Sequence, residues 1–157
     1  MYKLDQVRSG GQSGIDTIGI SVAKALGFKT GGTAPKGFRT EFGPNPLLGT
    51  VFGLVESNSP DYPPRTRQNI IDSDGTLLLG DLNSQGSKLT TRLAKQLSKP
   101  LFSGSLGYID VWEVLDWLQA NNIRVLNVAG NRETKLTPAE MDGYTQFLTD
   151  LFTQCTN

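Results

Sequence analysis

The residues of this chain with the most chemical potential lie in a few glycine-rich or basic segments. Ser9-Gly10-Gly11-Gln12-Ser13-Gly14-Ile15-Asp16 is the first. Three glycines let the backbone turn tightly and let a ligand approach the amides. A helix starting there would add unpaired N–H groups at the positive end of its dipole. Gly10, Gly11, Gln12, Ser13 and Gly14 are therefore candidate contacts to a phosphate-bearing ligand. The spacing is not Gly-x-Gly-x-x-Gly and no acidic residue ends the next strand, so a dinucleotide is disfavoured; nor is it a Walker A loop. The alternative is a plain turn in which Ser13 caps the helix and Asp16 caps back.

The second segment runs from Thr30-Gly31-Gly32 through Lys36 and Arg39 to Glu41. Its glycines permit close approach, Arg39 can grip an oxyanion by two parallel hydrogen bonds, and Lys36 acts as a point charge. The competing reading is a solvated loop. Tyr62, Arg65, Thr66 and Asn69 share one helical face, which is either a binding stripe or the solvent side. Gly86-Ser87-Lys88 opens a helix and offers a second anion pocket. Val128 to Thr134 follows the last strand at its carboxyl end.

The elements that must position these residues alternate between short apolar runs and helical patterns, the signature of a parallel sheet with helices on both faces. Strands are expected within Tyr2 to Arg8, at Phe28 to Thr30, Thr76 to Leu79, Pro100 to Phe102 and Arg124 to Val128. A stretch from Gly31 to Pro64 holds six of the eight prolines and a short strand at Val51 to Val55. Pro63-Pro64 open a helix, Asp110 with Glu113 caps another, and Thr137-Pro138-Ala139-Glu140 starts the last. One Rossmann-like, doubly wound α/β domain over residues 1–157, with a mainly parallel sheet of about five or more strands, is the expectation. Ligands of such sheets bind beyond the carboxyl ends of the strands.

Composition narrows the function. Fifteen basic residues balance fifteen acidic ones, which argues against a general nucleic-acid binder. There is no histidine and one cysteine, Cys155, in a terminal tail expected to be mobile. That removes Ser-His-Asp and Cys-His nucleophile systems, disulfides within the chain and His-ligated zinc. No secretory signal or apolar membrane-length run is visible, so a soluble, cytoplasmic protein is expected.

Taken in order, these segments resemble the molybdenum cofactor carrier proteins, part of a Rossmannoid group that includes the lysine-decarboxylase-like, cytokinin-activating proteins. The matching pieces are Ser9 to Asp16, Thr30-Gly31-Gly32 through Pro35-Lys36-Gly37 to Glu41, Tyr62 with Arg65-Thr66 and Asn69, Asp72 to Thr76, and Val125 to Gly130. Gln85-Gly86-Ser87-Lys88-Leu89-Thr90 departs from the relatives' Gly-Gly-Thr, Asn131 from a proline, and Phe38 from a basic residue. The Pro-Gly-Gly-x-Gly-Thr-x-x-Glu signature of the enzymatic cousins is absent. The resemblance implies non-catalytic storage or transfer of molybdenum cofactor (molybdopterin), a pterin with a terminal phosphate and a metal-chelating dithiolene. It further implies a homo-oligomer, a tetramer by family, that exchanges with a molybdenum insertase or molybdoenzymes. The runner-up is a nucleotide-processing enzyme of phosphoribohydrolase type with Asp16, Glu41 or Asp74 as acid or base. A nucleotide-sensing module without turnover is the third reading.

Overall fold

The expected first strand is divided in two. Tyr2–Lys3 pairs with Cys155–Thr156 apart from the central sheet, and only Gln6–Arg8 (β1) enters it. In the computed structural model, which describes residues 1–157, β1 leads through Ile15–Ala25 (α1) to Lys29–Ala34 (β2). Leu47–Thr50 (α2), Leu54–Glu56 (β3), Tyr62–Ile71 (α3) and Gly75–Leu79 (β4) follow. Gln85–Gln96 (α4), Leu101–Gly104 (β5), Val111–Ala120 (α5), Val125–Gly130 (β6) and Pro138–Thr153 (α6) complete the order.

Six parallel strands lie in the order β3-β2-β1-β6-β4-β5. Val7 pairs with Thr30 on one side and Leu126 on the other, and Leu77 lies between Val128 and Phe102. The sheet is Rossmann-like, and its six strands correspond to the five expected strands and the short one expected at Val51 to Val55. The short strand expected at Val51 to Val55 sits at Leu54–Glu56, because Val51 and Phe52 still donate to Leu47 as α2 closes. Gly31 and Gly32, expected in a loop, lie inside β2. A Cβ on Gly32 (φ 140°) would stand 2.0 Å from the Ser9 carbonyl oxygen, so glycine there permits close approach of the β1 end.

Period-two alternation divides the two faces of the sheet unequally. Val7, Leu77, Leu79, Leu126 and Val128 join one apolar core with α1, α5 and α6, including Tyr144, Leu148 and Phe152. Their strand neighbours Arg8, Thr76 and Asn127 face the other way, toward α3 and α4. That second layer is polar: Arg8 pairs with Asp72 at 3.5 Å, Asn127 donates to Thr76, and Asn69 bridges the Thr33 backbone. The apolar face carries most of the burial; the polar face leaves room for a cavity.

Three helices start as their sequences dictate. Asp110 accepts from the Trp112 and Glu113 amides, and Thr137 and Glu140 form a reciprocal capping box. Ser84 caps α4 by accepting from the Ser87 amide. Cys155 is not in a mobile tail: it is buried in the terminal strand pair, and burial pushes its thiol up to about 11. No helix is long and apolar enough to cross a membrane.

Candidate functional site

The glycine turn after β1 is built mainly to hold the fold. The Ser13 hydroxyl donates to Glu41 and accepts from the Glu133 amide, while the Gln12 side-chain carbonyl accepts from the Ser13 and Glu41 amides. Ser13 therefore does not cap α1; Gly14 takes the cap position, and Asp16 accepts from the Gln12 amide. The Ile15 N–H, one of the orphan donors of a helix start, bonds to the Asn131 carbonyl. Gly14 has φ 89°, and a Cβ there would lie 2.5 Å from that same Asn131 oxygen. The loop after β6 thus covers the α1 N-terminus. Gly11 (φ 76°) faces Leu48 and Leu54, and Gly10 lies under the Arg65 side chain.

Glu41 ties three segments together. Besides Ser13, it accepts from the Thr134 amide and hydroxyl and stands 3.8 Å from Arg132. Burial alone would raise its pKa, but these donors and the arginine outweigh it and hold the carboxyl below its ordinary range.

The open space lies elsewhere, between β4 and β6. The helix after β6 packs on one face of the sheet and the helix after β4 on the other, so their entry loops diverge and leave a crevice. The resulting cavity of about 570 Å³ is floored by Leu78, Ala129 and Gly130 and walled by α3 and the first turn of α4. Asn131 stitches its two loops. Its Oδ1 accepts from the Asp81 amide at 2.5 Å, and its Nδ2 donates to the Asp81 carbonyl at 3.3 Å and to Ser84 Oγ at 3.2 Å. Gly80 (φ 112°) is required here, since a Cβ would fall 2.1 Å from Asn131 Oδ1.

Arg65 reaches this cavity from α3. One terminal nitrogen lies 3.8 Å from Asp16 and donates to Thr66 at 3.0 Å, and the guanidinium stands 5.4 Å from the Tyr62 ring centre. Its Nε is buried without a partner. Asp16 is 2% exposed. Burial raises its pKa, and Arg65 with the Gln12, Gly130 and Gly10 amides pulls it only part of the way back. Arg132 and Lys135 add positive charge to the lining.

Of the residues expected from sequence, Gln12, Arg65, Gly86 and Ser87 line this cavity. Gly10, Gly11, Ser13 and Gly14 shape the neighbouring turn, and Thr30, Gly31 and Gly32 belong to β2. Lys36, Arg39 and Lys88 are exposed outside the lining. Arg39 donates to the Pro60 carbonyl and stands 5.1 Å from the Tyr62 ring centre, next to the arginine that does line the cavity. Asn69 is buried, holding the Thr33 amide and carbonyl. Asp81, Ser84 and Lys135 were not legible as site residues. Ser84 alone carried a signal, a serine three residues ahead of a hydroxyl in a helix start. Among the carboxylates considered as acids or bases, Asp74 accepts the Arg124 and Val125 amides before β6, Glu41 is engaged by the loops, and only Asp16 faces the cavity.

A Rossmann-like α/β protein with a donor-rich cavity at the carboxyl end of its sheet is the class that this geometry defines. The chain belongs to the circularly permutated YpsA SLOG family, whose model matches residues 7–152. It is similar to the crystal structure of the "Putative molybdenum carrier protein" from Syntrophus aciditrophicus SB, with 32% identity, 96% of each chain covered and a TM-score of 0.84. Curated proteins give no match.

Proposed function

We propose that this protein carries molybdenum cofactor, held in the cavity between α3, α4 and the loop after β6 and released without chemical change. The observation that carries the reading is the balance of the lining. Arg65, Arg132 and Lys135 supply three cations against two carboxylates, Asp81 and Asp16, and Asp16 is buried and already engaged by Arg65 and backbone amides. Such a lining favours an anionic ligand, and the donors suit a phosphate and an oxo-anion head. The likeness to a protein named a molybdenum carrier supports that particular cargo. Apolar floor residues Leu78 and Ala129 give a flat organic ring a surface to lie on.

The carrier reading expects no turnover, and the engagement of Asp16 supports it. A general base needs a lone pair in reach of the substrate proton. Here the carboxylate faces Arg65 and the amides that hold it. One observation favours the nucleotide-processing alternative: the raised pKa of Asp16 beside a cavity, which is the environment of many catalytic carboxylates. Adding molybdenum cofactor and AMP in parallel to purified protein, and following binding and product formation, separates the two. The carrier reading expects saturable cofactor binding with recovery of intact cofactor and no base or ribose phosphate from AMP. Release of adenine would overturn it.

A further inference from the structure

We propose that the aromatic face formed by the start of α5 and the turn before it docks a partner protein through a basic, arginine-bearing surface. Tyr108 is 91% exposed and Trp112 63%, on either side of the helix cap Asp110. Neither ring belongs to the apolar core, whereas the other tryptophan, Trp117, stands 5.7 Å from Phe102 and packs there. Tyrosine and tryptophan are the residues that most often anchor protein interfaces. The turn that carries Tyr108 is held firmly. The Leu106 amide donates to the hydroxyl of buried Tyr144 at 3.2 Å, and the Leu106 side chain lies against Gly143 of α6. Ser105 Oγ donates to the Gly80 carbonyl at 2.6 Å. Aromatic rings on a fixed turn lose little freedom when a partner covers them.

Charge selects the occupant. Residues 100–123 and 136–157, which include α5 and α6, contain six acidic residues and no basic one, although the whole chain is balanced. Asp110, Glu113 and Asp116 belong to α5, Glu140, Asp142 and Asp150 to α6, and the two helices pack together. None of the six forms an ion pair. Helix dipoles favour carboxylates in the first turn, but they equally favour bases in the last. Helices α1 and α4 follow that rule with Lys24 and Lys95, while α5 and α6 have no base in their last turns. Helix stability therefore does not account for a face without cations. Such a face repels nucleic acid, an anionic lipid surface and its own image on a second copy, and it attracts a cationic protein surface. Arginine laid on the Trp112 or Tyr108 ring adds a cation–π contact.

The face lies at the ligand end of the sheet. Gly80, to which Ser105 is bonded, precedes Asp81 and sits against Asn131, and both of those residues line the cavity. The partner's role rests on the carrier reading: it hands over or takes up the anionic cargo. A protein that holds an anion needs cations around its own entrance, and those cations meet the acidic face.

The test is titration of the full chain with two labelled peptides of equal length, one alternating Arg and Ser, the other Glu and Ser. Amide shift mapping, sedimentation and thermal unfolding accompany it. The expected result is one Arg-Ser peptide per chain, bound more weakly as salt rises, with shifts centred on residues 105–116 and 140–143. Trp112→Ala should weaken it about tenfold or more, the effect of losing an anchor. Asp150→Asn, about two turns beyond Asp142 along α6, should change it less than about twofold. Both variants should unfold at the wild-type temperature, since both side chains are exposed. Equal binding of the two peptides, undiminished binding by Trp112→Ala, or shifts centred elsewhere overturns the proposal. So does a dimer of the free protein that Trp112→Ala disperses, because the face then belongs to a second copy. If the Arg-Ser peptide binds as described but molybdenum cofactor does not, the docking surface stands and the carrier reading fails. If cofactor binds and the peptide does not, the reverse holds.

Discussion

Replacing Arg65 by alanine removes the cation that faces Asp16 and leaves a carboxylate 2% exposed without its charged partner. Removing one member of a buried pair costs about 3–5 kcal/mol, because the remaining charge stays desolvated. The Gln12 amide still donates to Asp16, which places this case toward the lower end, about 3 kcal/mol. The pH dependence is the diagnostic. Burial already raises the Asp16 pKa in the folded protein, and losing Arg65 raises it further. A carboxyl whose folded pKa exceeds its unfolded one binds more protons when folded, so its contribution to stability falls as pH rises through that window. The deficit of Arg65→Ala should therefore be greatest at neutral pH and shrink as pH drops toward the ordinary aspartate range. Urea unfolding of wild type, Arg65→Ala, Asp16→Asn and the double variant at several pH values measures both the deficit and the coupling. A deficit under about 1 kcal/mol, near the worth of an exposed pair, would refute the reasoning. So would a deficit that does not change with pH.

Other sites give sharper contrasts. Gly14→Ala forces a Cβ against the Asn131 carbonyl at a positive φ and should cost about 2–4 kcal/mol, whereas Gly86→Ala should gain about 0.5 kcal/mol; denaturant midpoints check both. Glu41→Ala strands the Ser13 and Thr134 donors and should lose about 1.5–3 kcal/mol at neutral pH. Because the folded Glu41 pKa is depressed, that stabilisation is present above the unfolded glutamate pKa and lost as pH falls through the folded value, so variant and wild type should converge in acid. Arg39→Ala should weaken cofactor binding much less than Arg65→Ala, since Arg39 lies outside the lining, donating to the Pro60 carbonyl and standing over the Tyr62 ring; equal losses in a binding titration would place the ligand over the exposed loop.

What was legible in the sequence was local. The caps of α5 and α6 are decided within four residues, by Asp110 and by Thr137 with Glu140. β4 was legible from Thr76 to Leu79, an apolar run of a central strand, and it begins one residue earlier, at Gly75, with all five residues buried. β3 is three residues long and exists by pairing with β2, so the strand expected at Val51 to Val55 overlaps it only at Leu54 and Val55. Gly31 and Gly32 look like loop residues, yet the close approach of the β1 end places them in a strand. The site shows the same division. Gly86 and Ser87 were visible as a helix opening, and Arg65 as part of a polar stripe. That the α1 turn is covered depends on Ser13 meeting Glu41 28 residues away and on Glu41 meeting Thr134 93 residues away. Asn131 likewise fixes Ser84 across 47 residues. Contacts between loops that are distant in sequence settle which glycines hold the fold and which one leaves space.

The central claim is that the cavity between α3, α4 and the loop after β6 is where the cofactor rests. Diffraction at the molybdenum absorption edge from crystals grown with molybdenum cofactor locates the cargo without assumption about its orientation. The account predicts one anomalous peak per chain inside the cavity bounded by Arg65, Ser87 and Arg132, with cofactor density reaching the Gly86 and Ser87 turn. A peak over the exposed Lys36 and Arg39 loop, or cofactor bound with this cavity left empty, would contradict it.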